Sequence, residues 1–141
     1  MANLNYGFRA GTKLTMRVPL DSGGTYPIRA GDCLDVGTAG YFQQAAAGGK
    51  VYAIAADDVL EAPSADGYAE VLAYVCEQDI FYYPVGTGTI TAAMAFKTCD
   101  LAGPQSLDVT ASADDNITIL VPDVANNAAW VTFNRPVAGV V

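Results

Sequence analysis

The 141-residue chain contains no histidine. This removes the side chain that titrates nearest neutrality, and with it the imidazole-dependent serine and cysteine dyads and the commonest zinc ligand. Cations are scarce: 7 Lys and Arg stand against 15 Asp and Glu, for a net charge of −8. A body this acidic repels phosphate backbones, so nucleic acid is not an expected partner. Charged residues make up 16% of the chain and hydrophobic residues 52%, whereas an average soluble domain carries roughly 25% charge. A small chain with so little charge is expected to hide surface against a partner. No apolar run reaches the ~20 residues of a membrane span, and no membrane partner is expected. The opening "MANLNYGFRAGTKLT" lacks the apolar centre of a secretory signal, which gives cytoplasmic synthesis as the expectation. Tryptophan occurs once, at Trp130.

Cys33, Cys76 and Cys99 are odd in number, widely spaced and without a C-x-x-C, which argues against a disulfide framework or a zinc knuckle. The ordinary role of such residues is that of a small buried hydrophobe. Cys33 sits in "YPIRAGDCLDVG" between Asp32 and Asp35. A nucleophilic thiol needs a cationic or imidazole neighbour to lower its pKa, and flanking carboxylates raise it instead. The stretch therefore reads as a Gly31-Asp32 turn between strands. Alternation there puts Cys33 and Asp35 on one face, with Asp32 and Leu34 on the other.

The paired acids Asp57-Asp58 and Asp114-Asp115 lack the spaced oxygen ligands of a calcium loop. "GTGT" from Gly86 lacks a full nucleotide fingerprint. A glycosidase pair among 15 acids would be a chance coincidence, and one tryptophan makes a poor sugar cleft. No catalytic residue, cofactor or metal follows, and the chain is expected not to be an enzyme.

Glycine and proline punctuate short apolar runs. Leu14–Leu20 alternates and reads as an edge strand, Thr25–Val36 as strand, turn, strand, and Gly49–Asp57 as a strand with Val51, Ala53 and Ala55 on one face. Tyr68–Val85 reads as two strands around Glu77-Gln78-Asp79; Ser106–Ala111, Asn116–Asp123 and Ala128–Val137 read as further strands. The Asp- and Asn-bearing links Ala113–Asn116 and Asp123–Asn127 suit left-handed turn geometry. Thr91–Leu101 is the best helix candidate, with Thr98-Cys99 already extended. About eight short strands predict an all-β fold, a small sandwich or barrel with an extended N-terminal arm and at most one or two short helices. The expected organisation is an arm over residues 1–13 and a β domain over 14–141.

Charge is uneven. Arg9, Lys13, Arg17 and Arg29 against Asp21 give residues 1–31 a net +3, while the rest sets three cations against fourteen acids, a net −11. The arm fits no element and mixes Tyr6 and Phe8 with Arg9 and Lys13. Aromatic and Arg side chains are the usual anchors of interfaces, so Tyr6, Phe8, Arg9, Lys13 and Arg17 are candidate partner-binding residues. In Phe81-Tyr82-Tyr83, alternation sends Phe81 and Tyr83 to the core and makes Tyr82 the candidate for an interface.

The run "YPIRAGDCLDV" and then "GYFQQAAAGGKVYAIAADD" resembles the front half of small tailed-bacteriophage head proteins. "DIFYYPV", "FKTCDL", "SLDVT", "NITILVPD" and "WVTFN" are similar to the C-terminal β module of capsid decoration (cement) proteins. The resemblance covers residues 14–137. It implies a structural virion protein on the outer surface of an icosahedral head, bridging major capsid protein subunits and forming a homo-oligomer, with a trimer favoured over a dimer. The alternative from another class is a sugar- or receptor-binding β module of a phage tail or fibre, which would show exposed aromatic platforms. A third is a small hydrolase with an acid-only site.

Overall fold

A computed structural model describes residues 7–37, 39–113 and 116–136. Among these the protein is all-β, as the alternation predicts: eleven short strands in two sheets, with two three-residue 3-10 turns.

The first strand is a difference from the sequence reading. Gly7–Ala10, inside the segment expected to fit no element, forms β1 and pairs antiparallel with β7 (Ile80–Thr87). Its glycine and short length hide the period-two pattern, yet Phe8 faces inward and Arg9 outward. From there the six-stranded sheet runs β1-β7-β11-β10-β8-β9, with β8 at Thr98–Gly103, β9 at Ser106–Asp108, β10 at Ile117–Asp123 and β11 at Ala128–Phe133. The parallel pairing of β9 with β7 curls this sheet back on itself. The five-stranded sheet runs β2-β6-β5-β3-β4, from β2 (Thr15–Pro19), β3 (Cys33–Val36), β4 (Phe42–Gln44), β5 (Ala53–Ala55) and β6 (Glu70–Tyr74). The two strands read around Glu77-Gln78-Asp79 are thus not a hairpin, since β6 and β7 belong to different sheets.

Two apolar cores result. One fills the space between the sheets with Phe81, Tyr83, Leu101, Leu107, Ile119, Val131 and Phe133, joined by Cys33, Val51 and Ile54 from the other sheet. The second, of Val18, Leu20, Ile28, Leu34, Ala53, Ala55, Val71 and Ala73, lies on the face of the five-stranded sheet turned away from the first. Both faces of β3 are therefore covered, Cys33 entering one core and Leu34 the other. Val51 does not share a face with Ala53 and Ala55. It precedes β5 and packs with Ile54 in the first core.

The helix expected over Thr91–Leu101 is only a 3-10 turn at Ala92–Met94. Ala95 is extended and Phe96 adopts a left-handed φ of 62°, so the chain leaves the turn and enters β8. The link between β10 and β11 behaves as its Asn content predicts: a 3-10 turn at Val124–Asn126 ends on Asn127, left-handed at φ 47°. Asp114 and Asp115 of the other Asp-rich link lie outside the described residues. That link joins β9 to β10, which are not neighbours in the sheet.

The arm is fastened at two points. Phe8 stacks on Tyr74 at 5.1 Å between ring centroids and meets Phe81 edge-on at 5.8 Å. Further along, Asp79, fully buried, accepts hydrogen bonds through Oδ1 from the Thr12 hydroxyl at 3.3 Å and the Lys13 N–H at 3.4 Å. Gly11 must be glycine at this crossing. Its φ is +128°, and a Cβ would lie 2.1 Å from Asp79 Oδ1.

Candidate functional site

The Ala30-Gly31-Asp32 turn is a structural clasp. Gly31 takes a φ of 95°, and the Asp32 N–H donates to the Arg29 carbonyl at 2.9 Å. Asp32 is 2% exposed. Its Oδ2 accepts from the Arg29 N–H at 2.9 Å and from Gln44 Nε2 at 2.7 Å, and its Oδ1 from Gln105 Nε2 at 2.7 Å. The carboxylate thus ties the turn to β4 and to the β8–β9 turn. Beside it the Cys33 thiol is pushed up to about 12, chiefly by burial, with a hydrogen bond to Tyr83 opposing the shift and the Asp32 charge adding to it. Cys99 is likewise pushed up to about 12 by burial and then by Asp100. Both shifts run opposite to what a nucleophilic thiol requires. Among the described residues no group of three or more Cys, Asp or Glu is placed to hold a metal ion.

The residues named for partner binding separate into three environments. Tyr6 lies outside the described residues. Phe8 belongs to the aromatic cluster of the first core, with the Lys13 ammonium 5.7 Å above its ring. Arg17 is exposed on β2. Arg9 and Tyr82 are brought together on the outer face of the six-stranded sheet. Tyr82 faces outward as alternation requires, but it is only 3% exposed. The Arg9 guanidinium lies 5.3 Å over its ring, and Trp130, its cross-strand partner on β11, packs at 4.8 Å. The accessible surface therefore belongs to Arg9 and Trp130 instead of to Tyr82.

Around this pair are side chains the sequence reading did not single out. The Tyr82 hydroxyl donates to Asp123 Oδ2 at 2.6 Å, and Asn126 Nδ2 donates to the same oxygen at 2.8 Å. The Asn126 amide first, then Tyr82, hold the Asp123 carboxyl below its ordinary value. Arg9, Tyr82, Asp123, Asn126 and Trp130 line an open cleft of about 320 Å³. Trp130 also borders a neighbouring apolar groove of about 560 Å³ formed with Ile80, Phe96, Leu120 and Val121. Phe96 is 77% exposed, although a left-handed backbone is costly for a bulky residue. Its N–H donates to the Ile119 carbonyl at 2.6 Å, and the Ile119 N–H to the Lys97 carbonyl at 2.9 Å, which fixes the ring beside β10. The outward position of Trp130 was legible, because Val131 and Phe133 alternate inward in "AAWVTF". Asp123 and Asn126 gave only a turn signal.

A second exposed surface lies on β2. Leu14, Met16, Val18 and Leu20 share one face of the strand. Val18 and Leu20 are buried in the second core, whereas Leu14 is 59% and Met16 54% exposed. Lys13 and Arg17 have the opposite parity: the Lys13 ammonium lies over the Phe8 ring of the first core, and Arg17 is exposed. β2 ends its sheet, and along its outer edge the described contact is a bridge from Leu20 to Phe42.

No family model, no curated protein and no solved structure matches this chain.

Proposed function

We propose that this chain is a structural protein that docks on the outer surface of an icosahedral phage head and ties major capsid subunits together. The observation that carries the reading is the half-covered apolar stripe of β2. A monomer gains nothing from running Leu14 and Met16 out beyond its own core. A partner that covers them continues the burial that Val18 and Leu20 begin, at about 25 cal/mol per Å² of apolar surface. The strand is also an open edge, onto which another chain can add by main-chain hydrogen bonds. Arg17, exposed on the same edge strand, fits an acidic partner surface and repels a basic one. A stable seat needs roughly 1,200–2,000 Å², more than the stripe alone offers, so the neighbouring loops must join the contact. The low charged fraction and the order of strand motifs support the same reading.

The test is co-sedimentation with undecorated heads of the phage that encodes the chain. Leu14→Ser with Met16→Glu is expected to lower head binding at least about tenfold, since it removes apolar anchors and buries a charge. Arg17→Glu is expected to weaken binding most at low salt. Undiminished binding by the folded Leu14→Ser, Met16→Glu variant would sink the proposed seat.

A further inference from the structure

We propose that the cleft between Arg9 and Asp123, floored by Tyr82 and walled by Trp130, is a carbohydrate-binding subsite for a single pyranose. This goes beyond docking on a shell and uses another surface. Trp130 is on the face of the six-stranded sheet turned away from the five-stranded one. Leu14 and Met16 are on the face of the five-stranded sheet turned away from the six-stranded one.

The cleft is amphipathic in the way a sugar ring is. A pyranose has an apolar face of C–H groups and an edge of hydroxyls that both donate and accept. Trp130 supplies an apolar aromatic wall, half-buried and held against Tyr82 at 4.8 Å. The polar end is set before any ligand arrives. Tyr82 and Asn126 both donate to Asp123 Oδ2, which fixes the carboxylate at the cleft. Arg9 is held over the Tyr82 ring and by a bond from its own Nη1 to the Phe8 carbonyl at 3.0 Å. Among the described residues Arg9 and Asp123 form no ion pair with each other, although both line the same cleft. An acceptor and a donor, both charged and both pre-positioned, therefore face one space of about 320 Å³. That volume stands at the lower end of small-ligand sites, which combine apolar walls with a few placed polar groups. Hydrogen bonds from a hydroxyl to a fixed carboxylate and from a guanidinium to a hydroxyl are the stronger, charge-assisted kind. Fixing the groups in advance lowers the ordering cost of binding. Beyond Trp130, the displayed Phe96 ring offers a second platform for the next unit of an oligosaccharide, and its strained backbone is the sort of outlier that gathers at ligand clamps.

The chain's one tryptophan makes the test direct, because Trp130 emission reports on the cleft wall. The probes are methyl glycosides of glucose, galactose and mannose, N-acetylglucosamine, and the disaccharides of each, with glycerol as a polyol that has no ring face. The expected result is a saturable change in emission with at least one pyranoside, at concentrations around millimolar, and none with glycerol. Asp123→Asn and Arg9→Ala are each expected to weaken that response about tenfold. Tyr68→Ala, which removes an exposed aromatic elsewhere, leaves it unchanged. Trp130→Ala, followed by ligand-observed NMR, abolishes binding while Trp130→Phe retains part of it. The proposal is overturned if no pyranoside gives a saturable response, if glycerol matches it, or if Asp123→Asn and Arg9→Ala bind as the parent does. Thermal melting of each variant separates loss of the site from loss of the fold.

Discussion

Asp32→Asn asks whether the carboxylate in the Gly31 turn holds three parts of the fold together. The side chain accepts one hydrogen bond at Oδ1, from Gln105, and two at Oδ2, from Gln44 and the Arg29 N–H. Asparagine keeps the shape but has one acceptor oxygen and one amide donor. With its nitrogen in the place of Oδ1, the amide hydrogens oppose those of Gln105. In the place of Oδ2, they oppose two donors. The cheaper arrangement loses one bond and makes the other two neutral. A hydrogen bond to a charged group contributes about 1.5–3 kcal/mol and a neutral one about 0.5–1.5. Gln105 can relieve the conflict by turning its amide, but its Nε2 also donates to the Ala30 carbonyl at 3.2 Å, and that bond would go. The net loss should be about 2–4 kcal/mol, a large share of the roughly 5–15 kcal/mol that holds a domain together. Urea unfolding measures it as a lower midpoint at unchanged slope. Combining the change with Gln105→Ala should give less than the sum of the two losses, with a coupling of about 1 kcal/mol or more. A loss under about 0.5 kcal/mol, or strict additivity with Gln105→Ala, would refute the clasp.

Phe8→Ala should destabilise the protein by about 2 kcal/mol, roughly half of a fully buried Phe→Ala change because the ring is half-buried. A change near zero in thermal melting would show β1 to be a passenger. With a thiol-specific chromogenic reagent near pH 8, half-buried Cys76 should react in the folded protein, while Cys33 and Cys99 react only after unfolding. Fast labelling of Cys33 in the native state would contradict its burial. Those two thiols, raised from 9.0 to about 12, keep their protons longer folded than unfolded. Their stabilisation is full below pH 9 and is lost as pH rises from there through about 12, so the urea midpoint should fall across that window; a flat midpoint would contradict the shifts.

Much of the fold was legible because alternation survives in the longer strands. "TMRVP", "IFYY" and "AAWVTF" each place their core residues by parity, and Asn127 takes the left-handed turn that Asn favours. What was not legible has physical causes. The alanines of Thr91–Leu101 imitate a helix, but Phe96 adopts a left-handed backbone held by Ile119, a contact made only after β10 is in place. Val51 departs from the face of Ala53 because the strand proper starts later. β1 is too short, and too near Gly7 and Gly11, to show a period. In the candidate site, parity gave the outward direction of Tyr82. Its cover by Arg9 and Trp130 depends on β1 and β11 flanking β7, a long-range pairing that no local pattern encodes.

The charge split shows the same limit more sharply. A net +3 over the first 31 residues invites the picture of one basic patch. The structure disperses it. Arg9 lies over Tyr82, Lys13 over Phe8, and Arg29 pairs with Asp58 at 3.6 Å near the acidic loop. Arg17 makes no ion pair among the described residues and stands beside Met16 on an open edge. Four like charges spread over four environments cannot act as one long-range field at physiological salt, where screening sets in within about 8 Å. Each cation must therefore be argued from its neighbours: Arg9 as a donor in a polar cleft, Lys13 as a cation over the Phe8 ring, Arg17 as an exposed charge on an edge strand, and Arg29 as an exposed pair worth little to stability. Reversing Arg9 should thus disturb the cleft without unseating the stripe, and reversing Arg17 should do the opposite. One measurement of sugar response and one of head binding on the same two variants would test that independence.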